Sequence, residues 1–276
     1  MYPAIFSRTY PVRNPEEVLK AIRADGFTGA QMNLSSFGMD SLPEALDDDA
    51  LAAGRAAGER LGVTLAALSG TYNMAHPDPK ARQAMRPRFA RVLQAARAIG
   101  APVVTLCTGS RDAANMWAEH PENASPEAWA DLRDELAWAL AEAASLDLVL
   151  AVEPEPGNVV RDARVARKLL NEVGAPNLKI ILDATNLIGT AGLAQQATIV
   201  AEAVDLLGPD VVLAHAKDVD ACGKVVAPGQ GAIDLPAFVA TLAHAGFDGA
   251  LIAHGFDAED TALAGRAMVA LCAGKP

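Results

Sequence analysis

The stretch LVLAVEPEPGN, residues 148–158, runs through five apolar residues, stops on Glu153 and breaks at once into a loop of prolines and glycine. An unbroken apolar run of this length, bounded by turn residues, reads as a strand covered on both faces, as strands of a parallel sheet are. The same pattern recurs in KIILDATN at 179–186, VVLAHAKD at 211–218 and GALIAHG at 249–255. Working outward from these four, candidate strands lie near residues 3–7, 27–33, 63–69, 102–107, 147–153, 179–183, 211–215 and 250–254. Each precedes a segment with apolar residues at three- and four-residue spacing, near 14–25, 47–61, 79–99, 126–145, 162–174, 193–208, 235–246 and 258–272. Asn14-Pro15, Asp78-Pro79 and Ser125-Pro126 each set a capping side chain before a proline whose missing N–H costs nothing in the first helical turn. Glycines 26, 62, 100 and 246 close helices ahead of the next strand. Eight β-then-α units in 276 residues predict the α/β class and a single-domain (β/α)8 barrel spanning 1–276, a fold that typically needs about 250 residues.

Composition narrows the function classes. With 51% hydrophobic residues the chain can bury one large core. No window approaches the roughly 18 consecutive apolar residues of a membrane span, and the opening MYPAIFSRTYPV has neither a basic start nor a long apolar run, so neither membrane insertion nor export is expected. The 34 acidic and 23 basic residues give a formal charge of −11, which repels phosphate backbones and argues against a nucleic-acid partner. Cys107, Cys222 and Cys272 are odd in number and form no CxxC pair, so a cytoplasmic location suits them.

In such barrels the active site sits at the C-terminal ends of the strands. Strands five to eight end in Glu153, Asp183, His215 and His254, separated by 30, 32 and 39 residues, one β/α unit each. Barrel closure would gather two carboxylates and two imidazoles on one rim, a mixed oxygen and nitrogen set suited to Mn²⁺, Mg²⁺, Zn²⁺ or Co²⁺. Each residue taken alone has a plainer reading, as a hydrogen-bonded rim histidine or an aspartate capping the next helix. Together at successive strand ends they point to one divalent ion, which would offset the repulsion between Glu153 and Asp183 and act as a Lewis acid.

Other rim segments offer polar groups. The second strand ends in Gln31-Met32-Asn33, and the loop at 69–78 carries Tyr72, Asn73 and His76. CTGSRD at 107–112 leads through Trp117 and HPEN to the helix near 126, a connection long enough for a lid or for an excursion packed down by Trp117. Asn158, Arg161 and Asn186 suit a polyhydroxylated ligand; Arg111 or Arg161 could instead hold a carboxylate or phosphate. Lys217 and Asp218 form either an acid/base pair or a structural ion pair, and Asp234 caps the following helix.

Taken in order, SGTYNMAHPD, CTGSRD, VEPEPGNVV, ILDATNLI, HAKD, GQGAIDL and GALIAHG resemble the sugar phosphate isomerase/epimerase family, also described as xylose-isomerase-like TIM barrels. The resemblance covers nearly the whole chain. It implies a metal-dependent enzyme acting on small sugars, keto-sugars or inositol derivatives. In the ketose 3-epimerase branch a divalent ion, commonly manganese, is held by Glu, Asp, His and Glu, and the two glutamates exchange protons with the carbon beside the carbonyl. Glu153, Asp183 and His215 match the first three, but His254 stands in place of the second glutamate, and Asn186 stands where that branch often has a substrate-binding histidine.

The expected protein is therefore a cytoplasmic, metal-dependent isomerase or epimerase of a small carbohydrate, with homo-oligomer formation left open. Mn²⁺ is the first choice of metal, at Glu153, Asp183, His215 and His254. Glu153, Glu155, Lys217 and His254 are the candidate catalytic residues; Asn73, His76, Arg111, Trp117, Asn158, Arg161 and Asn186 are the candidate substrate contacts. A keto-inositol or keto-sugar dehydratase is the alternative. A non-catalytic carbohydrate-binding barrel and an endonuclease-IV-like nuclease are weaker readings, the latter because it calls for a basic face and more histidines.

Overall fold

The computed structural model describes residues 1–274; the last two positions of the expected 1–276 domain lie outside the described residues. Eight parallel strands close into a barrel: β1 (Tyr2–Phe6), β2 (Gly29–Met32), β3 (Thr64–Ser69), β4 (Val103–Cys107), β5 (Val149–Glu153), β6 (Leu178–Asp183), β7 (Val211–His215) and, eighth in the ring, β10 (Ala250–Ala253). β1 completes the ring by pairing Tyr2 with Ala250. Between β7 and β10 the chain adds a small antiparallel pair, β8 (Asp218–Val219) and β9 (Val225–Val226). The helices are α1 (Pro15–Ala24), α2 (Asp48–Leu61), α3 (Pro79–Ile99), α4 (Pro126–Ala144), α5 (Ala163–Val173), α6 (Ala184–Ile188), α7 (Gln196–Leu207), α8 (Leu235–His244) and α9 (Thr261–Ala273).

The helix starts follow from their caps. Asn14 accepts from the amides of Glu16 and Glu17, Asp78 from Lys80, Ser125 from Ala128 and Asp234 from Ala237. One helix was not foreseen. The sequence pattern predicts a single segment near 193–208, whereas the five-residue α6 begins directly after β6 because Asp183 Oδ1 accepts from the amides of Thr185 and Asn186 at 2.8 and 3.2 Å.

Strand side chains alternate between two compartments. Leu150 and Val152 of β5, Ile180 and Leu182 of β6, and Leu251 and Ala253 of β10 join the large core between barrel and helices. Ala151, Ile181, Leu213, Ala250 and Ile252 instead fill the barrel lumen with Ala4, Ala67 and Val103. On the four later strands these lumen residues keep one parity, and the next inward positions there are 153, 183, 215 and 254. Apolar strands thus deliver ionisable groups at their ends by a step of two residues: the lumen is packed shut below and the inward position opens above it. The register agrees, since Asp183 pairs with His215 and His215 with Ile252.

Candidate metal centre and substrate cavity

Ligand atoms of Glu153, Asp183, His215 and His254 all lie within 4.8 Å of one another. Glu153, Asp183 and His215 are buried, and the His254 side chain keeps 18% of its exposure at the cavity wall. The two imidazoles sit with centroids 4.3 Å apart, and the ring edge of Phe6 packs against His254.

Both ring nitrogens of His215 have polar neighbours. Gln31 donates through Nε2 to Thr105 Oγ1 at 3.3 Å, so its amide oxygen faces His215 Nε2 at 2.9 Å. With the Gln31 amide in this orientation His215 Nε2 carries the proton, and Nδ1, 3.1 Å from Glu153 Oε1, is the nitrogen free to meet a cation. Burial depresses this imidazole to about 4, leaving it neutral at pH 7. Burial and the neighbouring His215 lower His254 as well. Its Nε2 lies 3.3 Å from Asp183 Oδ2.

Asp183 divides its oxygens between two tasks. Oδ1 caps α6, and Oδ2 meets His254 and, at 3.2 Å, Lys217 Nζ. Burial alone would raise this carboxyl, but the Lys217 ammonium and the His254 hydrogen bond outweigh it and hold Asp183 ionised. Burial likewise opposes the charge of Lys217, and the carboxylates of Asp183, Glu153 and Glu155 reverse that effect and raise it. Lys217 also donates to Asn186 Oδ1 at 2.6 Å, while Asn186 Nδ2 donates to Glu153 Oε1 at 2.9 Å. Burial, and next the charge of Asp183, push Glu153 up to about 7. Burial and the Glu153 charge do the same to Glu155, also to about 7.

This donor set fits a divalent cation. Two neutral imidazoles and one ionised carboxylate converge with a second carboxyl that holds its proton against a buried like charge, a conflict that a cation would relieve. Cys107, Glu153 and Glu155 also bring potential ligand atoms within 4.8 Å of one another. Burial, then Glu153 and Glu155, raise the Cys107 thiol, which stays protonated with Sγ 3.9 Å from Glu153 Oε2. A thiol in that state is a poor ligand.

A cavity of about 280 Å³ opens over this centre. Glu153, Glu155, His215 and His254 line its second-half side; Phe6, Arg8, Gln31, Asn33, Ser41, Ser69, Thr71, Thr105 and Cys107 line the first-half side, with Met116 and Trp117 from the loop after β4. Trp117 is 52% exposed, so it does not pack that loop down. Asparagines do so instead: Asn158 Nδ2 donates to Met116 O and Asn123 Nδ2 to Gly157 O, both at 2.9 Å. Gly157 passes so close that a Cβ there would lie 2.1 Å from Trp117 O.

Of the substrate contacts expected from sequence, Trp117 lines the cavity and Asn186 binds two groups of the centre. The structure places the other five away from the lining. Asn73 donates to Ser110 O and Asp112 O and accepts from Ser110 N, joining the loops after β3 and β4. His76 accepts from Asp78 N and, through its carbonyl, from Arg82. Arg111 is held by Ala75 O and Asp131, and Arg161 by the adjacent Asp162 at 3.2 Å. Asn158 Oδ1 accepts from Gly109 N at 2.7 Å. Asp218 turns away from Lys217 and gathers the amides of Val219, Gly229, Gly231 and Ile233, so it anchors a loop rather than pairing with that lysine. Sequence reasoning passed over Arg8 and Cys107; the only signal was that each closely follows or ends a strand.

The chain belongs to the xylose isomerase-like TIM barrel family, whose sequence profile matches residues 19–272. Among solved structures it is similar to 3-keto-D-glucoside 4-epimerase YcjR from E. coli in its apo form, with a TM-score of 0.76 at 20% identity over 99% of each chain. It is similar to the IOLI protein with a bound zinc atom, with a TM-score of 0.74 at 19% identity over 99% of this chain and 98% of that one. It is also similar to the probable 3-DHS dehydratase AsbF involved in petrobactin synthesis, from Bacillus anthracis, with a TM-score of 0.78 at 13% identity over 98% of each chain. What is shared at these identities is the fold. No curated protein sequence matches the chain. Among the described residues, no helix is long and apolar enough to cross a membrane.

Proposed function

We propose that the protein is a metal-dependent isomerase or epimerase of a small sugar, keto-sugar or related polyol, with aldose–ketose isomerisation the better fit. The observation that carries this reading is the placement of Glu155: it lines the same cavity as Glu153, His215 and His254 yet is not one of the metal quartet, and its carboxyl stands near 7. A divalent ion held by Glu153, Asp183, His215 and His254, with Mn²⁺ preferred over Zn²⁺, Co²⁺ or Mg²⁺, would supply Lewis-acid polarisation of a substrate carbonyl or hydroxyl. Glu155 accepts the proton from the hydroxyl-bearing carbon beside that carbonyl and returns it to the carbonyl carbon, while the proton of that hydroxyl passes to the carbonyl oxygen, a task suited to a group that titrates near neutral pH. Lys217 is committed to Asp183 and Asn186 and positions them rather than moving the proton. Trp117 offers an aromatic face to the sugar ring.

A two-base epimerase needs a second mobile base on the opposite face of the carbon. His254, engaged with Asp183, does not supply one, and this favours one-base chemistry. The same single base supports a dehydratase as the second reading, one in which proton abstraction is followed by loss of a hydroxyl. Keto-sugars and aldoses incubated with the metal-loaded protein in D₂O separate the two by NMR: isomerisation retains every oxygen and introduces deuterium at one carbon, whereas dehydration loses water. Glu155→Gln is expected to keep its metal and lose about 10²- to 10⁴-fold in turnover. Less than about half an equivalent of metal in protein purified without chelator, with no gain on adding Mn²⁺, Co²⁺ or Zn²⁺, would overturn the assignment and leave a binding barrel.

A further inference from the structure

Among the described residues, every cationic side chain near the cavity but one has a partner. Lys217 is tied to Asp183 and Asn186, Arg111 to Asp131 and Ala75 O, and Arg161 to Asp162. Arg8 lines the cavity and has no hydrogen-bond or ion-pair partner among the described residues. Its backbone is held firmly. It sits in the single turn Ser7–Thr9 after β1, where Ser7 Oγ accepts from Asn33 N at 2.9 Å and meets Ser36 Oγ at 2.8 Å, and Tyr10 N returns to Ser7 O.

Asn33, on the same wall, supplies a second donor. Its Oδ1 accepts from Ser35 N at 2.9 Å and from Ser41 Oγ at 2.8 Å. This leaves both N–H bonds of Nδ2 without an acceptor among the described residues. A free guanidinium and a free amide N–H on the same wall, with Asn33 Oδ1 already used, make a donor-rich stretch among the hydroxyls of Ser41, Ser69 and Thr71. Such a wall suits an anion better than a neutral hydroxyl, which must also find an acceptor for its proton.

We infer that Arg8 and Asn33 recognise a carboxylate on the substrate, so that the sugar bound here is a sugar acid rather than a neutral sugar. The inference rests on reading this cavity as the carbohydrate site. A carboxylate is favoured over a phosphate because the wall offers one fixed positive charge and the chain as a whole is at −11. That field opposes a dianion more strongly than a monoanion. The cavity of about 280 Å³ is also at the small end for ligand sites.

The test is calorimetric titration of the Mn²⁺-loaded protein with five- and six-carbon aldonates, the matching alditols and aldose phosphates, with protein-bound metal measured before and after. At least one aldonate is expected to bind about tenfold or more tightly than its alditol, the worth of one charge-assisted hydrogen bond. In Arg8→Gln that preference should fall to within about twofold while metal content stays at the wild-type value, and Arg8→Lys should recover part of it. Raising the salt should erode the preference in the wild type, because Arg8 is exposed. Equal binding of aldonates and alditols, no binding by any probe, or an unchanged preference in Arg8→Gln overturns the inference; tighter, Arg8-dependent binding of the phosphates replaces carboxylate by phosphate. Failure of the protein to take up Mn²⁺ would instead strike the metal reading, and the same titration without metal still reads Arg8.

Discussion

The two halves of the barrel end their strands differently. β5, β6, β7 and β10 lead to Glu153, Asp183, His215 and His254, all ionisable and gathered within one small volume. β1 to β4 end on Phe6, Met32, Ser69 and Cys107, and of the polar groups nearby Gln31, Asn33 and Thr105 are neutral while Arg8 alone carries a fixed charge. The second half is built to hold a cation and move a proton, whereas the first half is built to shape the remainder of the ligand. The contrast lies in residue choice at the open end and not in the fold.

Glu153→Gln should break the second half most severely. We expect loss of both stoichiometric metal and turnover, read by metal analysis and by the assay in D₂O. The pH dependence sharpens the point. Glu153 is raised from 4.5 to about 7, so without metal the folded state holds this proton more tightly than the unfolded chain does. That contribution to stability is complete below 4.5 and is lost as the pH rises through about 7. Metal-free Glu153→Gln, which keeps an uncharged amide there, should therefore melt above the wild type at alkaline pH and lose that advantage in acid. Metal affinity of the wild type should rise with pH through the same range, because the ion displaces the proton.

A smaller effect is expected on the side of the loops. Asn158 is 2% exposed and joins the loops after β4 and β5 through two bonds, so Asn158→Ala should cost about 2 kcal/mol in urea unfolding. It should also shift Trp117 fluorescence as its loop loosens. Smallest of all, Arg161→Ala removes an exposed pair with the adjacent Asp162 and should change stability by no more than about 0.5 kcal/mol. A large loss of ligand binding in that variant would show that the fifth loop folds over the cavity, and the contrast between halves would need redrawing.

How far the sequence could be read follows from the same physics. Alternation along strands is local, so the eight-fold repeat and the inward parity at 153, 183, 215 and 254 are visible in the chain itself. A single long helix near 193–208 was expected, and α6 escaped because a five-residue helix has too few turns to show a period. The loop amides were illegible for a different reason. Asn73 and Asn158 sit just past strand ends, where an amide serves a ligand or a neighbouring loop equally well, and only the neighbour's position in space decides. Arg8 shows the converse: its importance lies in the absence of a partner among the described residues, which no pattern along the chain displays.

Of the bonds that cross the division between halves, one reaches the metal centre from the far side of the barrel. Gln31 belongs to β2 and His215 to β7, and the 2.9 Å contact between them sets which nitrogen of His215 faces the metal centre. Metal affinity is thereby made an indicator of ring closure. If the chain were cut in the loop between β4 and β5 and the two pieces mixed, tight metal uptake would report their reassembly, since the later piece holds every ligand but lacks the strut that aims one of them.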